Sequence, residues 1–498
     1  MLPINTFEIL KTLKKEDLKN FSNFLYSPYH NSNKVLIKLF DEIVKYYPEY
    51  SNEKLSYEYL YKKLYCGEKF SERTIKNRLT EFSQVLRSFL ANERLKKDES
   101  AYYKLLINEL QKRKCFALSN KVIHTNKNKL AESKISPEYF MHKHVLEEAF
   151  HYNSIQLSDV QMYDRMEFSS RKAEPIIAHF FSTYFVHLSE HITFNETTNF
   201  YNKQNNILNE FAKTIKPDAF IDYLEQTGNK YFPYLKAYYL TYKIKVSEDT
   251  VPVYKELKSI FINHGAEFEE TDTYMLWAVL CETLYLKLIP ADLSYKKEVF
   301  ELNDYFLELG IYPNKSEEYF VPQVFENIFS AAVIEKEFSW AENFIDKYGP
   351  TLHPNTRHNQ VNYCLGVLNF KLKKYEKSIE HISRVNYSDI VMKINVRFYT
   401  LLNYIEMKHY ESALSLIDSA KHFSSSNEKI PKYLHSHINT SLKIFKKIIL
   451  AETQVKELDI SVLKEAQAAK RFFQKSFAIE KIKAILGKQE RSSHRIKK

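Results

Sequence analysis

Tyr363-Cys364-Leu365-Gly366-Val367-Leu368, followed after a short polar break by Tyr375-Glu376-Lys377-Ser378, is the stretch on which the fold turns. Its first part is apolar with the 3.6-residue period of a helix. A glycine stands in the middle, where it costs about 1 kcal/mol relative to alanine. That cost makes sense only where a neighbouring backbone must come close. Nine residues after Gly366 comes an aromatic residue, with a small residue three positions further on. The chain of 498 residues holds seven glycines. The other six, Gly67, Gly228, Gly265, Gly310, Gly349 and Gly487, each follow an apolar helix-periodic run, where a helix end would place them.

The aromatic–small pair recurs on both sides, as Phe338-Ser339-Trp340-Ala341 and Tyr410-Glu411-Ser412-Ala413. The aromatic residues are 37 and 35 positions apart, and nine residues before the outer two stand Phe329 and Leu401. These segments resemble tetratricopeptide (TPR) repeats, whose period is about 34 residues. Leu365-Gly366 matches the Leu-Gly pair of that family's first helix. The resemblance covers roughly Pro322 to Phe423, and a rhythm of helix pairs extends it back to Phe232. It implies an all-α chain, a TPR-like α-solenoid of antiparallel helix pairs joined to an N-terminal helical module. It also implies a concave face lined by first-helix residues: Gln323, Glu326, Ser330 and Val333, then Gln360, Tyr363, Val367 and Phe370, then Asn395, Phe398, Leu402 and Ile405. An amide recurs in register at Gln323, Gln360 and Asn395, with an aromatic ring three residues on in the last two. Amides and rings suit a groove that holds a peptide. The residues expected to contact it are Gln323, Gln360, Tyr363, Phe370, Asn395 and Phe398.

Working outward, residues 1–98 read as an N-terminal helical module, 99–230 as a middle helical region, 231–452 as the repeats, and 453–498 as a capping helix with a basic tail. The clearest N-terminal element is a helix opened by Ser71, with Ile75, Leu79, Phe82, Leu86 and Phe89 on one face. The stretch from Leu18 through Ser27-Pro28-Tyr29-His30-Asn31 to this helix resembles a group of uncharacterised bacterial helical proteins, a likeness that implies no function. Phe472, Phe473, Phe477, Ile479 and Ile482 make the last helix apolar enough to close the array.

Composition narrows the chemistry. The chain is 44% hydrophobic and 27% charged, as a globular protein is, and Phe, Tyr and Trp make up 15%. No glycine-rich phosphate loop is present. Cys66, Cys115, Cys281 and Cys364 form no CxxC pair, so neither a zinc knuckle nor a disulfide framework is expected. With no leader-like start and no uninterrupted apolar run near 18 residues, a cytoplasmic protein without a membrane partner is expected. Of the ten net positive charges, seven lie between Asp459 and Lys498.

Three other features carry potential chemistry. His187-Leu188-Ser189-Glu190-His191 spells HxxEH, a spacing that can present two imidazoles to Zn²⁺. Glu148-Ala149-Phe150-His151, near His142, His144 and Glu147, is half of a di-iron pattern whose second half is missing. Arg73, Lys76, Arg87 and Arg94 lie opposite the apolar stripe of the Ser71 helix and, with residues 488–498, could meet phosphates. The reading favoured is a non-enzymatic scaffold without cofactor or metal that binds a protein or peptide. A nucleic-acid-associated regulator is the alternative, and a zinc hydrolase at His187, Glu190 and His191 the minor one.

Overall fold

The computed structural model describes residues 4–50, 55–157, 162–198, 207–311, 319–386, 390–427, 430, 432–469 and 472–496. Contacts divide the chain into two units, residues 1–133 with 137–180 and residues 134–136 with 181–498. The 99–230 stretch is thus shared between them.

The first unit opens with α1 (Ile4–Thr12), α2 (Lys15–Tyr26), α3 (Lys34–Ile43), α4 (Tyr57–Leu64) and α5 (Glu72–Lys97). Each helix turns a leucine- and phenylalanine-rich stripe inward. Phe21 lies at the centre, with its ring 5.1 Å from Phe40, 5.2 Å from Phe89 and 5.6 Å from Phe82. Burying one such ring contributes about 2–3 kcal/mol. The Ser71 side chain accepts a hydrogen bond from the Thr74 N–H, so α5 starts where its N-cap places it. Next come α6 (Glu99–Lys112), α7 (Phe116–Ala131) and α8 (Pro137–Gln156), clasped together by Asn153. This fully buried amide donates to Ser119 Oγ and Asn120 Oδ1, both at 2.8 Å, and accepts from Gln111 at 2.8 Å. The division between the units falls within α9 (Met162–Thr198).

The second unit continues with α10 (Ile207–Ala212) and α11 (Pro217–Gln226), then becomes a succession of antiparallel pairs. The first pair is α12 (Phe232–Val246) with α13 (Thr250–His264). In the second, α14 (Glu270–Thr283) runs through a π turn (Leu284–Leu288) into the last turn α15 (Ile289–Ala291) and packs on α16 (Lys296–Glu308). Then come α17 (Pro322–Ile334) with α18 (Phe338–Tyr348), α19 (Pro354–Lys371) with α20 (Tyr375–Ser383), and α21 (Ile390–Glu406) with α22 (Tyr410–Ser426). The chain closes with α23 (Lys432–Glu452), α24 (Ile460–Ala468) and α25 (Lys475–Ile496). First helices touch along the array, α12 with α14, α17 with α19, and α19 with α21. This is an all-α, TPR-like stack of helix pairs. Among the described residues β pairing is limited to two isolated bridges, Ile135 with Phe268 and Phe320 with Leu352.

Aromatic side chains fill the seams within and between pairs, as their abundance requires. Trp277 stacks on Phe306 at 4.2 Å while its indole N–H donates to Asn303 at 3.1 Å. Buried Tyr234 donates to Asp272 at 2.9 Å. The helical stretch Glu270–Ala291 has the length and hydropathy of a membrane span, although Glu282 and Lys287 interrupt its apolar run. Within this unit its polar groups are satisfied by neighbours, Asp272 by Tyr234 and Glu282 by Lys245 at 2.9 Å.

One glycine expectation changes. Gly67, Gly228 and Gly310 adopt the left-handed conformation at helix ends, whereas Gly487 lies inside α25 with open space around it. An apolar run ahead of a glycine does not end a helix when the residues after it remain good helix formers.

Candidate functional site

Three turns define the repeat. Before Phe338, Tyr375 and Tyr410 the chain leaves its first helix through Lys336 (φ 65°), Lys373 (φ 60°) and Lys408 (φ 61°), all left-handed. In each, the next N–H returns to the carbonyl five residues earlier: Glu337 to Ala332 at 2.9 Å, Lys374 to Asn369 at 2.8 Å, and His409 to Tyr404 at 2.8 Å. These are Schellman ends built on lysine instead of glycine. The small residues that follow, Ala341, Ser378 and Ala413, are completely buried, and so are Phe329, Gly366 and Leu401 opposite them. The three aromatic residues therefore occupy equivalent places. A Cβ on Gly366 would stand 2.6 Å from Ile382, so α20 approaches α19 as closely as a bare backbone allows. Ser378 Oγ donates to the Gly366 carbonyl at 2.7 Å and accepts from Asn403 Nδ2 on the next first helix at 2.9 Å.

The first-helix face is not open. Gln323 is exposed and bonds within its own helix to Asn327, and Asn395 is half-buried. Gln360, Tyr363, Phe370 and Phe398 are all buried, none more than 6% exposed. The amide of Gln360 reaches Glu326 at 3.4 Å, and Tyr363 stands edge-on to Tyr399 at 6.0 Å. The remaining cover comes from the chain's own C-terminal segment. Phe473 stacks on Phe398, with centroids 4.7 Å apart and planes at 10°. Its N–H donates to Ser441 Oγ at 2.8 Å. Phe477 packs on Phe370 at 5.8 Å and Phe445 at 6.3 Å. Gln474 hydrogen-bonds the Tyr399 hydroxyl, whose pKa burial pushes up to about 12. Lys481 forms an ion pair with Glu406 at 2.8 Å, and both side chains are largely shielded.

Glu406, at the end of α21, also accepts from the Tyr375 hydroxyl at 3.4 Å, and Tyr410 bonds Glu452 at the end of α23. Each of the two repeat tyrosines thus finds a carboxylate on the following first helix. Burial pushes both hydroxyls above their ordinary range, with these carboxylates adding to the effect. Desolvation holds the Lys371 ammonium below its usual value despite nearby Glu480 on α25.

The other candidates are arranged differently. His187 and Glu190 are exposed on α9 and pair with each other at 3.2 Å. Glu147 pairs with Lys127 at 2.8 Å, His151 stacks on Phe168, and His144 Nδ1 lies 2.7 Å from the Lys172 carbonyl. Among the described residues no three His, Cys, Asp or Glu side chains converge as metal ligands would. On α5, Lys76 is paired with Glu72 at 2.6 Å and Arg94 with Asp98 at 3.8 Å, while Arg73 and Arg87 face solvent. Helix α25 carries the basic terminus as far as Ile496.

Two features escaped the sequence reading. One is the cover formed by residues 472–481, which needs knowledge of how the last helix folds back. The other is a fourth turn of the same build in the first unit: Lys114 is left-handed (φ 61°), Cys115 N–H returns to Leu110 at 2.9 Å, and Phe116 is followed three residues later by fully buried Ser119. Ile107, nine residues before Phe116, is buried like Gly366. The spacing was present in Phe116-Ala117-Leu118-Ser119 but carried no glycine to mark it.

No family model matches the chain, and no curated protein matches it. The resemblance of the N-terminal stretch to bacterial helical proteins therefore stands on its residues alone. Among solved structures, the crystal structure of yeast Tom70 matches at 12% identity, covering 79% of this chain and 97% of that one, with a TM-score of 0.25.

Proposed function

We propose that this protein is a non-enzymatic helical-repeat scaffold that binds a protein or peptide partner on the face presented by successive first helices. The observation that carries the reading is the occupancy of that face: rings on α19 and α21, with the Tyr399 hydroxyl and the Glu406 carboxylate, hold a chain segment by stacking, hydrogen bonding and one ion pair. A stack of equivalent hairpins presents such groups already ordered, so little entropy is lost on binding.

A photo-crosslinking residue placed at exposed Gln323 in the full chain tests this directly. A co-purifying protein should be captured there at high salt and not from Leu105 in the first unit. Capture that fails at Gln323 and at Asn395, with association lost steeply on raising salt and on changing Arg73 and Arg87 to alanine, would favour a nucleic-acid partner instead.

A further inference from the structure

Residues 472–481 show what the first-helix face selects. They lie on it as a ligand would: Phe473 on Phe398, Gln474 on Tyr399, Phe477 between Phe370 and Phe445, and Lys481 on Glu406. Helix α25 keeps its closest backbone packing for α23 and α24, and reaches α19 and α21 through side-chain ends. Ala478, Ile482 and Ile485 are buried. Phe473 and Phe477, by contrast, stay half-exposed while the rings they cover are buried. The contacts toward α19 and α21 are thus few, directional and made by groups that another chain could supply.

We propose that this face recognises a partner segment with two aromatic residues four positions apart, an amide just after the first and a basic residue four positions after the second, and that residues 472–481 occupy the site until such a partner displaces them. The inference rests on the scaffold reading and names its ligand class. Each part has a cause. The ring pair demands flat apolar groups at that spacing. The Tyr399 hydroxyl in a buried wall demands an amide, because leaving it unpaired is unfavourable. Glu406 demands a cation, since a shielded carboxylate without its partner is costly. Self-occupancy also sets a threshold. If the segment leaves the face open in one molecule in a hundred, apparent affinity for a partner is weakened about 100-fold. Only partners that match the full pattern, or exceed it, then bind.

The test uses a fluorescein-labelled synthetic peptide of residues 472–487, titrated with the full chain and read by fluorescence anisotropy. Phe473→Ala with Phe477→Ala in the chain should tighten peptide binding at least about ten-fold over the wild type. Adding Glu406→Lys to that protein should weaken it about ten-fold, and a peptide carrying Lys481→Glu should regain binding to the Glu406→Lys protein. Equal binding to all three proteins, or none to an opened variant that melts like the wild type, would overturn the proposal. Should the double variant fail to fold, Lys481→Glu, which leaves the rings in place, takes its role with the same expected direction. A partner still captured at Gln323 when the peptide fails would remove this ligand class and leave the scaffold reading. Loss of both would remove that reading as well.

Discussion

The α6–α7 hairpin of the first unit and the α19–α20 hairpin of the second are built on one plan with one difference. Both leave the first helix through a left-handed lysine, Lys114 or Lys373, and close the same Schellman turn. Both bury a serine at the same offset, Ser119 or Ser378, that accepts from an asparagine of the following helix, Asn153 or Asn403. At the position facing that serine, however, one has Ile107 and the other Gly366. Glycine is therefore not what the turn requires. It is what close approach requires, and where the helices stand further apart a branched apolar side chain fills the space.

Substitutions at these matched positions should separate the two devices, each read as a local opening free energy by hydrogen exchange in the full chain. Ile107→Ala should have the largest effect, about 3 kcal/mol against α6–α7, because it empties a fully buried site. A value below about 1 kcal/mol would mean that the site collapses easily and that the comparison is wrong there. Asn153→Ala should follow at about 2.5 kcal/mol, since Ser119, Asn120 and Gln111 all lose a buried partner. Gly366→Ala should cost about 2 kcal/mol by pressing on Ile382, and Ile382→Val in the same chain should return part of it. A neutral Gly366→Ala would show that the close approach is not needed.

Asn403→Ala should cost only about 1 kcal/mol. Ser378 keeps its bond to the Gly366 carbonyl, and Asn403 Oδ1 already has no hydrogen-bond partner among the described residues. Smallest of all, and opposite in sign, Lys373→Gly should stabilise α19–α20 by about 0.5 kcal/mol. Relief of left-handed strain there slightly exceeds the added freedom of the unfolded chain.

The repeat was legible where a residue type had a single physical use. Gly366 marked a close approach, and the aromatic–small pairs at Phe338, Tyr375 and Tyr410 marked the starts of second helices. The α6–α7 hairpin was passed over because isoleucine facing serine is common in any helix, so its signal merges with ordinary core patterning. Of the residues expected to line the groove, Phe370 and Phe398 meet Phe477 and Phe473, while Tyr363 stands against Tyr399. What covers them could not be read, because it depends on a segment more than seventy residues away in sequence folding back through side-chain contacts alone. Gly487 has a different cause: the helix-forming residues after it, not the apolar run before it, decide that α25 continues.

The surface at issue is the one that residues 472–481 occupy, and zero-length carbodiimide crosslinking of the unmodified full chain probes it most directly. Glu406 and Lys481 lie 2.8 Å apart, so mass spectrometry of the digest should find them joined, alongside internal standards at Lys245–Glu282 and Lys258–Glu298. Excess peptide of residues 472–487 should lower the Glu406–Lys481 yield and leave both standards unchanged. Standards that form while Glu406 and Lys481 never join would contradict the occupied face and the ligand chemistry drawn from it.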